Sequence, residues 1–154
     1  MLSETARLRL WALTKIPLIF FLRPSVVAMS DERCVLKIRL SRRSRNHLGT
    51  MYFGALCAGA DLAGALMAMR QIDRSGGGVS LIFKDLKAEF LKRCEGDVLF
   101  ACEDGAAIRD LVARVRASGE REHLPVTVLA TVPDKLGAEP AARFVLTLSL
   151  RRRV

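Results

Sequence analysis

Asp61 is the one charge in an apolar run from Met51 to Met69. The length of that run and its many Ala, Leu and Met residues favour a helix over a strand. Apolar residues fall on every side, the mark of a buried helix. Gly54, Gly59 and Gly64 recur every five positions and leave room for a sheet to approach the backbone. A helix starting near Gly54 puts Asp61 about two turns in, too deep to cap the first-turn amides. A carboxylate in such a place needs a buried polar neighbour or water, or it has chemistry to do. That chemistry would be general-base or nucleophilic attack beside a helix N-terminus, whose free backbone N–H groups polarise a carbonyl.

Two further groups of residues flank the run. Asn46-His47-Leu48-Gly49-Thr50 is a polar, turn-forming entry, preceded by the basic segment Ser41-Arg42-Arg43-Ser44-Arg45. That basic segment reads equally as a solvated turn or as a phosphate contact at the mouth of a site. Downstream, Phe90-Leu91-Lys92-Arg93 leads to Gly96-Asp97. Asn46-x-x-Gly49-Thr50-x-x-x-Gly54 followed by Asp61 resembles the N-x-x-G-T-x-H-G-G signature of hotdog-fold acyl-CoA thioesterases of the phenylacetyl-CoA type. In these a catalytic Asp follows in the helix at the same spacing. Gly78-Val79-Ser80 looks like the start of their next strand, and Phe90 to Asp97 like their F-L-x-P…G-D stretch. The similarity spans residues 34–102 and, more loosely, the last two strands. It is greatest to an uncharacterised hotdog family labelled as thioesterases. Tyr52 stands where the pattern has His, and Phe53 where it has the first of two glycines.

The resemblance implies an α+β hotdog fold, an antiparallel sheet wrapped around a central helix. It implies hydrolysis of an acyl-CoA or acyl-carrier-linked thioester without a cofactor. Asp61 would be general base or nucleophile. Asn46 would orient water or thioester, the backbone N–H groups of Phe53 and Gly54 would hold the oxyanion, and Ser80 would contact Asp61's water. Tyr52, His47, Gly49, Arg45, Lys92 and Arg93 would contact substrate. The family builds this site across a subunit interface, so a homodimer or larger homo-oligomer is expected. A non-catalytic acyl-binding module and a membrane-surface interaction protein stay open beside this reading.

The elements that must position these residues follow from patterning. Ser3 caps an amphipathic helix to about Lys15, with Leu10, Trp11, Leu13 and Ile16 facing the protein body and Arg7 and Arg9 facing solvent. Pro17 and Pro24 bound an irregular apolar connection. Residues 1–29 are too broken in their apolar core for a signal peptide, and the division expected is 1–29 packing on a hotdog domain of 30–154. Cys34 to Leu40 alternates as a half-buried strand. Ser80 to Phe90 is a strand with the even-numbered residues on one face. Asp97 to Cys102 is a short strand, and Asp104 caps an inserted helix to about Ala117 with Ile108, Leu111, Val112 and Val115 as its stripe. Leu124–Val132 and Ala142–Arg151 form the last two strands.

The 154 residues make one domain, able to bury roughly 70% of its unfolded surface. A net charge of +9 favours polyanionic partners. At 6% aromatic residues with no basic–aromatic interleaving, nucleic-acid binding is a poor fit. The mid-run Asp and the glycines argue against a transmembrane segment. Cys34, Cys57, Cys94 and Cys102 form no C-x-x-C pair, and there are only two histidines, so no metal site is expected. Reduced core thiols suit a cytoplasmic setting.

Overall fold

A computed structural model describes residues 2–153. The chain order is α1 (Glu4–Lys15), α2 (Pro17–Leu22), β1 (Ser25–Met29), β2 (Cys34–Ile38), α3 (Phe53–Arg74), β3 (Val79–Phe90), β4 (Val98–Cys102), α4 (Gly105–Ser118), β5 (Glu122–Thr131), α5 (Pro133–Leu136) and β6 (Pro140–Arg152). The six strands form one sheet in the order β1-β2-β4-β5-β6-β3, with every neighbouring pair antiparallel. The sheet curls around α3, which is the hotdog arrangement. α3 is the one helix among the described residues long and apolar enough to span a membrane, yet half of its most apolar window lies buried in the fold.

Close approach between α3 and the sheet depends on the missing side chain of Gly59. A Cβ there would stand 2.4 Å from the ring of Phe100, itself fully buried on β4. Ala60, Ala63 and Met67 continue that covered face. α4 lays Ile108, Leu111, Val112 and Val115 on the same core, so the stripe read from its periodicity is the one used.

Three local expectations are corrected. Ser3 does cap α1, its Oγ accepting from Ala6 N at 3.2 Å. The helix, however, is turned so that Leu8 and Ala12 are buried, while Leu10, Leu13 and Ile16 are exposed. The cause is Arg9, which turns inward to donate to the carbonyls of Pro24 and Arg23 and to Ser25 Oγ. A guanidinium with five donors satisfies the chain reversal there better than a leucine would. The stretch from Pro17 to Pro24 is not an irregular connection, because α2 occupies most of it and the edge strand β1 follows directly. In β3 the even-numbered face is broken by a bulge between Phe83 and Asp85. One extra residue flips the alternation, so that Leu81 and Phe83 pack on the core before it and Ala88 after it.

Asp104 also departs from its expected duty. It sits at the N-cap of α4 but makes no side-chain cap. Its Oδ2 instead accepts from Thr127 N at 2.7 Å, tying the helix start to β5.

Candidate active site

The entry turn is organised by Asn46. Its Oδ1 accepts from Leu48 N (2.9 Å) and Thr50 N (3.2 Å), and its Nδ2 donates to Thr50 Oγ1 (2.9 Å). Backbone bonds from Asn46 N to Thr50 O and from Gly49 N to Asn46 O close the loop. Both acceptor positions of the amide are thereby used, and one Nδ2 hydrogen is left over for a ligand. Ser44, buried at the end of the basic segment, holds the other side: its Oγ donates to Arg39 O, and its carbonyl accepts from Tyr52 N.

This loop delivers the chain into α3. The carbonyl of Tyr52 takes the amides of Ala55 and Leu56, and Tyr52 offers no side-chain cap. The N–H groups of Phe53 and Gly54 are therefore the first-turn donors left without an intrahelical acceptor. The ring of Tyr52 folds back onto the first turn, where a Cβ on Gly54 would meet it at 2.3 Å. Phe53 packs against Tyr52 (centroids 4.9 Å apart) and edge-on to Phe90 (6.2 Å) at the end of β3.

A cavity of about 530 Å³ opens here, with Asn46, His47, Tyr52, Phe53, Lys92 and Arg93 among its lining. Arg45 and Gly49 join Asn46 and His47 around an adjoining basic hollow of about 470 Å³. Lys92 is held by Glu139 at 2.6 Å, which leaves Arg93 the freer cation. Burial pushes the Cys94 thiol pKa up, so this cavity-lining cysteine is no ready thiolate nucleophile.

Asp61 lies elsewhere on the same helix. It shares a half-open stripe with Gly54, Cys57, Ala58 and Ala65, which seven- and eleven-residue steps place on one face. Burial alone raises its pKa, with no neighbouring charge contributing. Its carboxylate makes no hydrogen bond or ion pair among the described residues. Eight residues separate it from Phe53, about 12 Å along the axis. A single chain thus does not bring Asp61 to the free amides. Nor does it bring Ser80 to Asp61. Phe83 stands against Gly64, and Phe90 against Phe53, so β3 runs back along α3 and places Ser80 toward the far end of the helix. Ser80 Oγ there donates to Arg151 O at 3.1 Å.

Residues 5–149 match a family described as Domain of unknown function (DUF4442). The chain belongs to the DUF4442 family. No curated protein matches it by sequence. Among solved structures, a Chlorobaculum tepidum protein of unknown function superposes with a TM-score of 0.84 at 12% identity, over 97% of this chain and 94% of that one. A Pseudomonas aeruginosa protein of unknown function, called a probable thioesterase, gives 0.81 at 21% identity over 99% of each chain. A Haemophilus influenzae thioesterase gives 0.71 at 12% identity, over 99% of this chain and 92% of that one. At such identities the likeness establishes the fold.

Sequence reasoning missed part of this DUF4442 cavity. Phe90 and Leu91 form its apolar wall together with Leu56, and the signal available was two large apolar residues ending a strand just before Lys92-Arg93. Among the described residues no three His, Cys, Asp or Glu side chains converge on a metal-sized site.

Proposed function

We propose that this chain hydrolyses an acyl thioester, carried on CoA or an acyl-carrier protein, in a site shared by two copies. The observation that carries the reading is a half-buried carboxylate, Asp61, with no partner among the described residues, on the same helix as two free first-turn amides. The carbonyl oxygen of the thioester would lie on the N–H groups of Phe53 and Gly54, with the spare Asn46 N–H beside it. Asp61 would take a proton from water as that water attacks the carbonyl carbon. Collapse of the tetrahedral intermediate breaks the C–S bond, and the proton passes from Asp61 to the leaving thiolate. The apolar wall of Phe53, Phe90 and Leu91 would take the acyl chain. Arg45, His47 and Arg93 would face the carrier's phosphates.

The 12 Å gap is what calls for the second copy. A two-fold axis beside Cys57, midway between Phe53 and Asp61, sets each Asp61 level with the partner helix's first turn. The small residues along this face permit close approach. β3 supports the same assembly: it is a 12-residue edge strand with Ile82, Leu86 and Phe90 exposed, a template for pairing with another chain.

The test is release of free CoA from a panel of short, long and aryl acyl-CoAs, followed by chromatography, for wild type and Asp61→Asn. Turnover that falls about a hundredfold or more in the variant supports the reading. Negligible rates in both folded proteins across the panel and on acyl-carrier substrates would sink it. One feature favours a competing, non-catalytic acyl-binding role: the Tyr52 ring rests on Gly54 at the place where carbonyl polarisation must occur. Saturable acyl-CoA binding without turnover would decide for that alternative.

A further inference from the structure

We propose that the α1–α2 elbow is a docking surface for an anionic phospholipid membrane. Every residue from Leu13 to Leu18 is exposed, and the apolar ones project from the fold: Leu13, Ile16, Leu18 at 65% and, one turn on, Phe21 at 52%. These are not loose ends. The opposite face of the elbow, Leu8, Ala12, Ile19 and Leu22, is anchored in the core. Its backbone is closed by Ile16 N to Ala12 O and by Ile19 N and Phe20 N to Ile16 O. α1 is thus apolar on two sides, and the protein covers only one. A pre-formed, rigid apolar projection loses little conformational freedom on entering the headgroup region.

The surroundings decide what the projection meets. Beside α2 a hollow of about 450 Å³ is lined by Arg9, Arg23, Arg39, Arg42 and Arg43 together with Leu22 and Ser41. Arg43 lies 5.7 Å over the ring of Phe21, joining the basic and apolar parts into one surface. Ser44 pins the turn that displays Arg42 and Arg43, with Ser41 N donating to its Oγ at 3.0 Å. The nearest acid to this group is Asp97, within 4.0 Å of Lys37 and Arg39; Arg42 and Arg43 make no ion pair among the described residues. Residues 5–30 and 33–60 contain no Asp or Glu at all. They carry Arg7, Arg9, Lys15, Arg23, Arg33, Lys37, Arg39, Arg42, Arg43 and Arg45. Asp31 and Glu32 are the only acids among these ten cations, and a protein partner with an apolar patch would have little need of such an excess. An anionic bilayer supplies both the acyl layer for Leu13, Ile16, Leu18 and Phe21 and the phosphates for the arginines.

The elbow and its arginines share only Arg42 with the basic hollow beside the proposed thioester site, and vesicle binding is read without turnover. The full chain is mixed with vesicles of phosphatidylcholine alone or of phosphatidylcholine with 30% phosphatidylglycerol, and binding is read by flotation at 0.1 M and 1 M salt. Three double variants, all of exposed side chains, are compared: Leu13→Glu/Leu18→Glu, Arg42→Glu/Arg43→Glu and, as a control distant in sequence, Arg151→Glu/Arg153→Glu. Thermal melts check that each is folded. Binding is expected on the anionic vesicles only and weaker at 1 M salt, where screening reaches within about 3 Å. It should fall about tenfold or more in each of the first two variants and little in the control. Absence of binding to anionic vesicles overturns the proposal. So does an equal loss in the control, which would mean that net charge alone is at work. A change in the chain's oligomeric mass on Leu13→Glu/Leu18→Glu with no vesicle binding would also overturn it, assigning the elbow to self-association.

Discussion

The two faces of α3 differ in what fixes them. Along one, Gly59, Ala60, Ala63 and Met67 are pressed into the sheet, and the ring of Phe100 occupies the space a side chain on Gly59 would need. Along the other, Cys57, Ala58, Asp61 and Ala65 are only half covered, and the carboxylate there has no partner among the described residues. Both faces are small and apolar, so composition does not distinguish them. Cover does. On the packed face small residues serve close approach to the protein's own sheet. On the open face they leave room for something else, and a charge kept there against its desolvation cost is the sort of expense retained for function.

The contrast can be broken most sharply at Asp61. Asp61→Asn should abolish most thioester turnover, about a hundredfold or more, while raising the melting temperature at neutral pH. The sign follows from burial. Asp61's pKa is raised in the folded chain above its ordinary value, so its ionised form is penalised by folding. That penalty is complete above the folded pKa and relieved as pH falls toward the unfolded one. The stability gap between wild type and variant should therefore close on acidification. In wild type, turnover should fall as pH drops through the same raised pKa. A variant less stable at neutral pH would show that Asp61 is a structural residue.

On the covered face the expected effect is on stability alone. Gly59→Ala forces a methyl against Phe100 and should cost about 1–3 kcal/mol by overpacking, measured by urea unfolding. Destabilisation of the same size at Ala65 would erase the distinction between the faces. Ala65→Arg, on the half-open side, should instead leave thermal stability within about 0.5 kcal/mol in the monomer and shift sedimentation toward that monomer. The smallest effect is expected at the first turn. Tyr52→Phe keeps the ring on Gly54, so it should alter turnover by less than about tenfold unless the hydroxyl touches substrate. A larger loss, separated into kcat and KM, would give that hydroxyl a direct role.

How much of this was legible beforehand varied with the range of the interaction. The spacing from Asn46 through Gly54 to Asp61 is local, and so is the turn that Asn46 closes with its own amide. The central helix, the stripe of α4 and five of the six strands also come from periodicity within single segments, together with the family resemblance. The face of α1 did not follow. Its apolar residues lie on two sides, and which side is buried depends on Arg9 finding carbonyls some fifteen residues away at Arg23 and Pro24. The bulge in β3 was equally invisible, because it is a register relation with β6, more than fifty residues later. Asp104 shows the same limit: the N-cap position is local, but Thr127 of a distant strand offered its carboxylate a better donor.

The sequence by itself determined the buried central helix with one carboxylate in its apolar run, the turn before that helix, and the concentration of positive charge in the first third of the chain. These depend on neighbours within a few positions, where backbone geometry leaves little choice. Only the tertiary structure decided that Asp61 has no partner among the described residues and lies about 12 Å along the helix from the free amides. Only it decided that Ser80 is spoken for by Arg151, and that the leucines of the α1–α2 elbow point outward beside the arginines. Each of those outcomes depends on which distant segment arrives to cover a face, and covering is a property of the packed chain.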